Sequence, residues 1–207
     1  MKPLSPMLTV SALCLFGSLS TLADSTFQLA LWPPDLQLVD QRESISGLRL
    51  EIYGRNEYVS GLDLGFIHET RADFTGLAIG LANLVDGNMH GVQLAYWGYS
   101  LTGGDVEGWT SGAYSRVNGG TTGLQTGIVG LTDADFTGWQ GSVAWSRTGG
   151  HLTGLQCGVV NQADSVEGVQ IGVVNLTRSM KGLQIGLWNQ IDEKDQLRVF
   201  PIVNWKF

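Results

Sequence analysis

Charge is scarce in this chain. Asp, Glu, Lys and Arg make up only 15% of 207 residues, with 19 acidic against 12 basic side chains and a formal net charge of −7. So little charge does not suit a disordered tail. The absence of any Lys or Arg run excludes the basic stripe of a nucleic-acid binder. Cysteine is nearly missing, with 2 residues, and proline is rare, with 5. No apolar stretch of about 18 residues follows the first 23 positions, so no transmembrane helix is expected beyond them. Helical periodicity is also lacking. What is abundant is glycine, 29 residues, roughly twice ordinary usage. It follows no G-X-Y period, which excludes collagen.

The first 23 residues read as a signal peptide. Met1-Lys2 supplies the positive start, Met7–Leu22 is apolar and small, and Thr21 and Ala23 suit cleavage before Asp24. Cys14 follows Leu13, which is too large for a lipoprotein signal. Cleavage leaves Cys157 alone, so no intramolecular disulfide can form. A lone cysteine in an exported chain is expected to be inert. The expected address is the outer membrane or cell surface, with the periplasm as the alternative.

Glycine marks a repeat. Segments starting at Gly47, Gly61, Gly76, Gly91, Gly108, Gly123, Gly138, Gly154, Gly168 and Gly182 align, with spacings of 14 to 17 residues. The clearest copies are GLQCGVVN (154–161), GVQIGVVN (168–175) and GLQIGLWN (182–189); GLRLEIYG (47–54) diverges most in charge. Residues one, three and five after the glycine are mostly aliphatic, as in Leu183, Ile185 and Leu187. Gly182, Gln184 and Gly186 intervene. This period-two alternation predicts a β-strand in every copy. Asp86-Gly87, Asn118-Gly119 and Thr148-Gly149-Gly150 are tight-turn sequences. The array covers 45–190, and 27–32 and 197–207 read as flanking strands, giving one all-β domain over 24–207.

These copies, with the opening GLRLEIYGRN (47–56) and the ending PIVNWKF (201–207), resemble a family of bacterial surface repeat proteins built on a G-L-Q-I-G-L-V-N unit. Such proteins are known from Gram-negative phyla. The resemblance implies a surface location and carries no established activity. Some relatives are labelled polyhydroxyalkanoate synthases, which need a G-x-C-x-G nucleophile elbow. Here Cys157 stands one residue out of that frame, mid-strand, in Gly154-Leu155-Gln156-Cys157-Gly158.

Two architectures fit. The preferred one is an antiparallel meander of about twelve strands closed as a barrel. Strands of about ten residues suit a membrane-spanning barrel, and an even count is usual. Val199, Pro201, Val203, Trp205 and Phe207 form an apolar terminal strand, with Trp205 and Phe207 as a candidate assembly signal. Closure would place Phe27–Trp32 beside Val199–Trp205. Against it, three apolar residues per strand span roughly 14 Å, short of an apolar band of about 25 Å. The alternative is a β-solenoid with one coil per repeat, its core filled by the Leu-Ile-Leu positions and Asn161, Asn175 and Asn189 stacked from coil to coil.

Chemistry-bearing constellations are weak. His68, His90 and His151 fall in separate repeats without metal-ligand spacing and read as surface histidines. His151 and Cys157 are roughly 20 Å apart along one strand at about 3.4 Å per residue. Asp133 with Asp135, and Asp105 with Glu107, read as solvated turn carboxylates rather than a calcium site. No catalytic residue, metal or cofactor is expected. The row Gln93, Gln125, Gln140, Gln156, Gln170 and Gln184 is the candidate interaction or lumen face. The expected function is a non-enzymatic outer-envelope protein with a structural or interaction role, its partners the outer membrane or its assembly machinery and no nucleic acid. A small passive pore is the alternative, and a secreted solenoid binding a polysaccharide or protein comes third.

Overall fold

The computed structural model describes residues 24–207; the expected signal peptide, its expected cleavage after Ala23 and Cys14 lie outside the described residues. Every regular element in them is a strand: β1 (Ser25–Trp32), β2 (Leu36–Gln37), β3 (Ile45–Asn56), β4 (Val59–Thr70), β5 (Phe74–Val85), β6 (Met89–Thr102), β7 (Val106–Val117), β8 (Thr121–Thr132), β9 (Phe136–Ile191) and β10 (Val199–Lys206). From β3 to β9 neighbouring strands pair in parallel and in register, Gly47 to Gly61, Gly61 to Gly76 and onward to Gly138. The chain is therefore a β-solenoid in which each repeat forms one coil. β9 runs through the last four repeats without a break.

The barrel expectation is corrected by this pairing. Neighbours are parallel where a meander requires antiparallel, and the sheet stays open, with β10 and β2 at opposite ends of its order. β1 pairs with β3 and β10 with β9, so Phe27–Trp32 does not meet Val199–Trp205. The reason lies inside each repeat. Inward-facing residues stand two before, two after and four after the glycine, then seven and nine after it. The parity changes between the fourth and seventh places, so the strand bends around a corner and the next copy lands on top of the last. The turn sequences join coil to coil: Gly87 N donates to Ala72 O, Gly104 N to Gly87 O and Gly119 N to Gly104 O.

The glycine at the head of each repeat is fixed by its backbone. All ten have φ between 125° and 152°, a region that side chains avoid. A Cβ on Gly123 would also lie 2.1 Å from Gly108 O in the coil before.

Inside and outside are exchanged relative to the expected solenoid core. Gln184 and Asn189 are fully buried, while Ile185 is 37% and Leu187 73% exposed. The interior instead holds an apolar column two residues before each glycine, including Ile45, Val59, Phe74, Met89, Val106, Phe136, Leu152, Val166 and Met180. Stacked amides fill the rest. In-register parallel coils let a buried amide bond its own counterpart one coil away, which removes the penalty of burying it. The position four after the glycine admits little but glycine. A Cβ on Gly172 would approach Gly158 O to 2.2 Å and Asn161 Nδ2 to 2.5 Å.

Candidate functional site

The six glutamines proposed from sequence as an interaction or lumen face lie in the interior, each at 0% exposure. Gln184 Nε2 donates to Gln170 Oε1 at 2.8 Å, and the ladder continues through Gln156, Gln140 and Gln125 at 2.7 Å per step. Gln93 is buried in the same column and accepts from Thr102 Oγ1 at 3.4 Å. Asn161 Nδ2 donates to Asn175 Oδ1 at 2.8 Å and Asn175 Nδ2 to Asn189 Oδ1 at 2.7 Å, the stacking expected of a solenoid. The ladders from Gln125 to Gln184 and from Asn161 to Asn189 hold coils together. No barrel forms, so they line no lumen.

At the N-terminal end the same columns carry charge. Arg49 and Asp63 replace glutamine, Glu51 replaces the inner glycine and His68 replaces asparagine. Arg49 Nε donates to Asp63 Oδ1 at 3.0 Å, with Nη2 on the second carboxylate oxygen. His68 Nδ1 faces both Glu51 Oε1 and Asp63 Oδ1 at 2.7 Å, and Nε2 faces Ile79 O at 3.1 Å. Both ring nitrogens meet acceptors only, so both carry protons and the ring is an imidazolium. Burial opposes that charge, but hydrogen bonds to Asp63 and Glu51 outweigh it and push the His68 pKa up to about 9. Burial would also raise Asp63, but Arg49 and His68 hold it below the ordinary carboxylate value. Burial drives Glu51 upward. Arg49 and His68 thus face Asp63 and Glu51, and Glu51 Oε2 is buried without a hydrogen-bond partner. Glu51, Asp63 and His68 lie close enough together to chelate a cation. Yet both carboxylates are already engaged by Arg49 and His68 and the histidine is protonated, so the donor set suits an internal ion cluster. Gly80 makes room for it, since a Cβ there would lie 2.3 Å from His68 Nε2.

Sequence reasoning placed His68 on the surface and missed this cluster. The available signal was charge in GLRLEIYG at positions where other copies carry Gln and Gly. His90 faces outward and His151 is exposed, bonded to Ser165 Oγ at 2.7 Å; neither joins His68. Cys157 is half-buried, and burial pushes its thiol up against the opposing effect of Trp139, away from reactive thiolate character. The turn carboxylates bond backbone one coil on: Asp105 Oδ1 accepts from Gly120 N and Asp135 Oδ1 from His151 N, both at 2.7 Å. Trp205 and Phe207 are exposed at the edge strand, with Lys194 Nζ 5.2 Å from the Trp205 ring.

The outer surface is where the aliphatic columns emerge. One strand face, about 16 Å wide over coils about 4.8 Å apart, covers on the order of 800 Å² across the array. The largest apolar patch of an ordinary monomer is roughly 300–600 Å². Leu62, Phe66, Leu81, Ile128, Val143, Val159, Ile171, Val173, Ile185 and Leu187 are all exposed. Residues three and five after the glycine form ridges, and the strand backbone between them floors a valley along the solenoid. Near the C-terminus this valley is a groove of about 540 Å³ between Ile171 and Ile185 on one side and Val159, Val173 and Leu187 on the other.

The middle coils alter the pattern. Trp109, Leu124 and Trp139 stack in one column one residue after the glycine. Beside them the third position shrinks to Ser111, Thr126 and Gly141. The space freed receives the indoles. Trp109 Nε1 donates to Thr126 Oγ1 at 3.0 Å, and a Cβ on Gly141 would sit 3.2–3.5 Å from three Trp139 ring atoms. The two longest repeat spacings place their extra residues at the corner as bulges, at 96–98 and 143–144. In the first, Trp97 has φ 58° and is 88% exposed. Tyr96, Trp97 and Trp109 wall a hollow of about 340 Å³ floored by Gly112, Ala113 and Gly127, with Val143 at its far side.

No protein-family model, characterised protein or solved structure matches this chain.

Proposed function

We propose that this chain is an exported repeat protein of the outer envelope that acts by presenting its outer sheet face to a partner, without catalysis. One observation carries this reading: the aliphatic and aromatic residues of the repeat stand outside, over an interior filled by an apolar column, amide ladders and ion pairs. A chain that only needed to be soluble has no use for an apolar surface of that extent. The signal-like segment at 1–23 and the GLQIGLWN-type copies support an envelope address and kinship with bacterial surface repeat proteins. A passive pore is not favoured, since the amide ladders occupy the interior through which solutes would pass. An enzyme is not favoured either. Among the described residues the one close grouping of metal-ligating side chains is Glu51, Asp63 and His68, sealed in the core by ion pairs.

The test is expression from the native start in a Gram-negative host, followed by intact-mass measurement, fractionation with a carbonate wash, and protease treatment of whole cells. Processing near Ala23 with protease-accessible protein in the outer-envelope fraction is expected. Unprocessed protein held in the cytoplasm overturns the reading.

A further inference from the structure

We propose that the Trp109–Leu124–Trp139 column, with the Trp97 bulge above it, is a binding platform for an extended, uncharged β-linked polysaccharide. The proposal rests on the interaction role argued above and names the chemistry of the partner.

Four observations converge. First, the two indoles are anchored in place: Trp109 by its bond to Thr126 and Trp139 by its seat on Gly141. Even so, they remain 38% and 45% exposed. Second, the two coil steps from Trp109 to Trp139 set a spacing of about 9.6 Å, close to the repeat of an extended β-linked disaccharide. Every second sugar ring then meets an indole, with its C–H face on the π face, and the ring between rests on Leu124. Third, the neighbouring outward column carries Glu107, Thr122 and Thr137 beside these three residues, all exposed. An apolar stacking row beside hydrogen-bonding groups, two hydroxyls and one carboxylate, matches the two kinds of surface a sugar ring carries, and the carboxylate disfavours a polyanion. Fourth, Trp97 is held in left-handed backbone at a bulge, and Gly98 behind it cannot carry a Cβ, which would lie 1.6 Å from Leu81 O. Strain of this kind persists where structure imposes it, often at binding sites. Here it suspends an indole over the hollow floored by Gly112 and Gly127.

Charge selects among polymers. Nucleic acids also stack on aromatic rows, but they require a basic groove. The residues lining the hollow carry no charge and the chain is at −7, so a neutral glycan fits and a polyanion does not.

The experiment is a titration of intrinsic tryptophan fluorescence with cellohexaose and with chitohexaose, paired with retention on microcrystalline cellulose and on chitin. At least one probe should bind. Trp109→Ala and Trp139→Ala should each weaken it about tenfold, the usual scale of one aromatic stacking contact, and Trp97→Ala by somewhat less. Trp109→Phe should retain part of the affinity, and Trp188→Ala, in the last coil, all of it. Far-UV circular dichroism on each variant separates loss of binding from loss of fold. Failure of both oligosaccharides and both solids, or binding unchanged in the Trp109→Ala/Trp139→Ala double variant, overturns the proposal. So does a dimer by sedimentation that this double variant dissociates, or capture by phosphatidylcholine vesicles lost in the same variant. Those outcomes assign the face to a second copy or to lipid. Fractionation of the double variant keeps the two readings apart: it should still reach the envelope, and a cytoplasmic chain that nonetheless binds glycan would sink only the function proposed above.

Discussion

The coils at Gly154, Gly168 and Gly182 and those at Gly47 and Gly61 share one backbone and solve the same burial problem in opposite ways. The C-terminal coils repeat themselves: Gln156, Gln170 and Gln184 bond in series, and so do Asn161, Asn175 and Asn189. Each amide is both donor and acceptor, so an identical neighbour is a complementary one. In the N-terminal coils the same positions hold Arg49, Glu51, Asp63 and His68, where an identical neighbour would repel and only an opposite one can stabilise. The lesson is that register alone does not secure a solenoid core. Its chemistry must be either self-complementary or paired coil by coil, and only the first kind can be extended by copying.

Four experiments probe this contrast. The largest effect should erase it, because the glycine column is common to both regions. Gly168→Ala places a Cβ 1.9 Å from Gly154 O at a φ of +148°, and we expect a loss of more than about 4 kcal/mol, read as a collapse of the urea midpoint. Next, Arg49→Met leaves Asp63 and Glu51 buried with His68 as the one cation between them. It should cost about 3–5 kcal/mol, whereas Gln156→Met interrupts one ladder and should cost about 1–3 kcal/mol. Hydrogen exchange would place the first loss at 45–70 and the second at 140–190; equal costs would end the distinction between the two cores.

The pH profile separates the regions more finely. The His68 pKa is raised in the fold, from an ordinary 6.5 to about 9. Its stabilisation is therefore complete below about pH 6.5 and lost as the pH rises through 9, on the order of 3 kcal/mol in all. Exchange protection should fall on the alkaline side in the first coils and stay level in the last three. His68→Asn should flatten that limb. The smallest effect belongs to the surface. Arg178 bridges Asp164 and Glu193 at 2.7 and 2.6 Å, but these pairs are solvated, and Arg178→Ala should leave the unfolding midpoint where it was.

Much of this architecture is legible in the sequence, up to a point set by physics. The glycine period, the strand in each copy and the asparagine stack follow from spacing and alternation. Alternation does not say which of its two faces is inside. Leu183, Ile185 and Leu187 make the better core by transfer energy, yet Gln184 and Gly186 take it, because a Cβ on Gly186 would lie 2.2 Å from Gly172 O and coils stacked in register reward amide ladders. The turn sequences misled in a related way. Asp86-Gly87 and Asn118-Gly119 suit hairpins, but here they close a coil whose reversal has already happened at the corner. Trp109 and Trp139 were visible as residues; their pairing with Ser111 and Gly141 became meaningful only once the third position was known to face outward.

The two ends of the sheet carry a consequence of their own. Parallel, in-register layers of Gln and Asn are the internal order of an amyloid fibril, and such a stack has no intrinsic reason to stop. What closes it is a change of direction. β10 runs antiparallel along β9, contains Pro201 and spends Asn204 Nδ2 on Asn189 O and Arg198 O. At the other edge β2 is two residues long, antiparallel to β1, and follows Pro33-Pro34. Neither edge offers the long, flat, parallel template that another chain would need to continue the ladder. The molecule is, in effect, a fibril of fixed length whose terminators are encoded in the same chain.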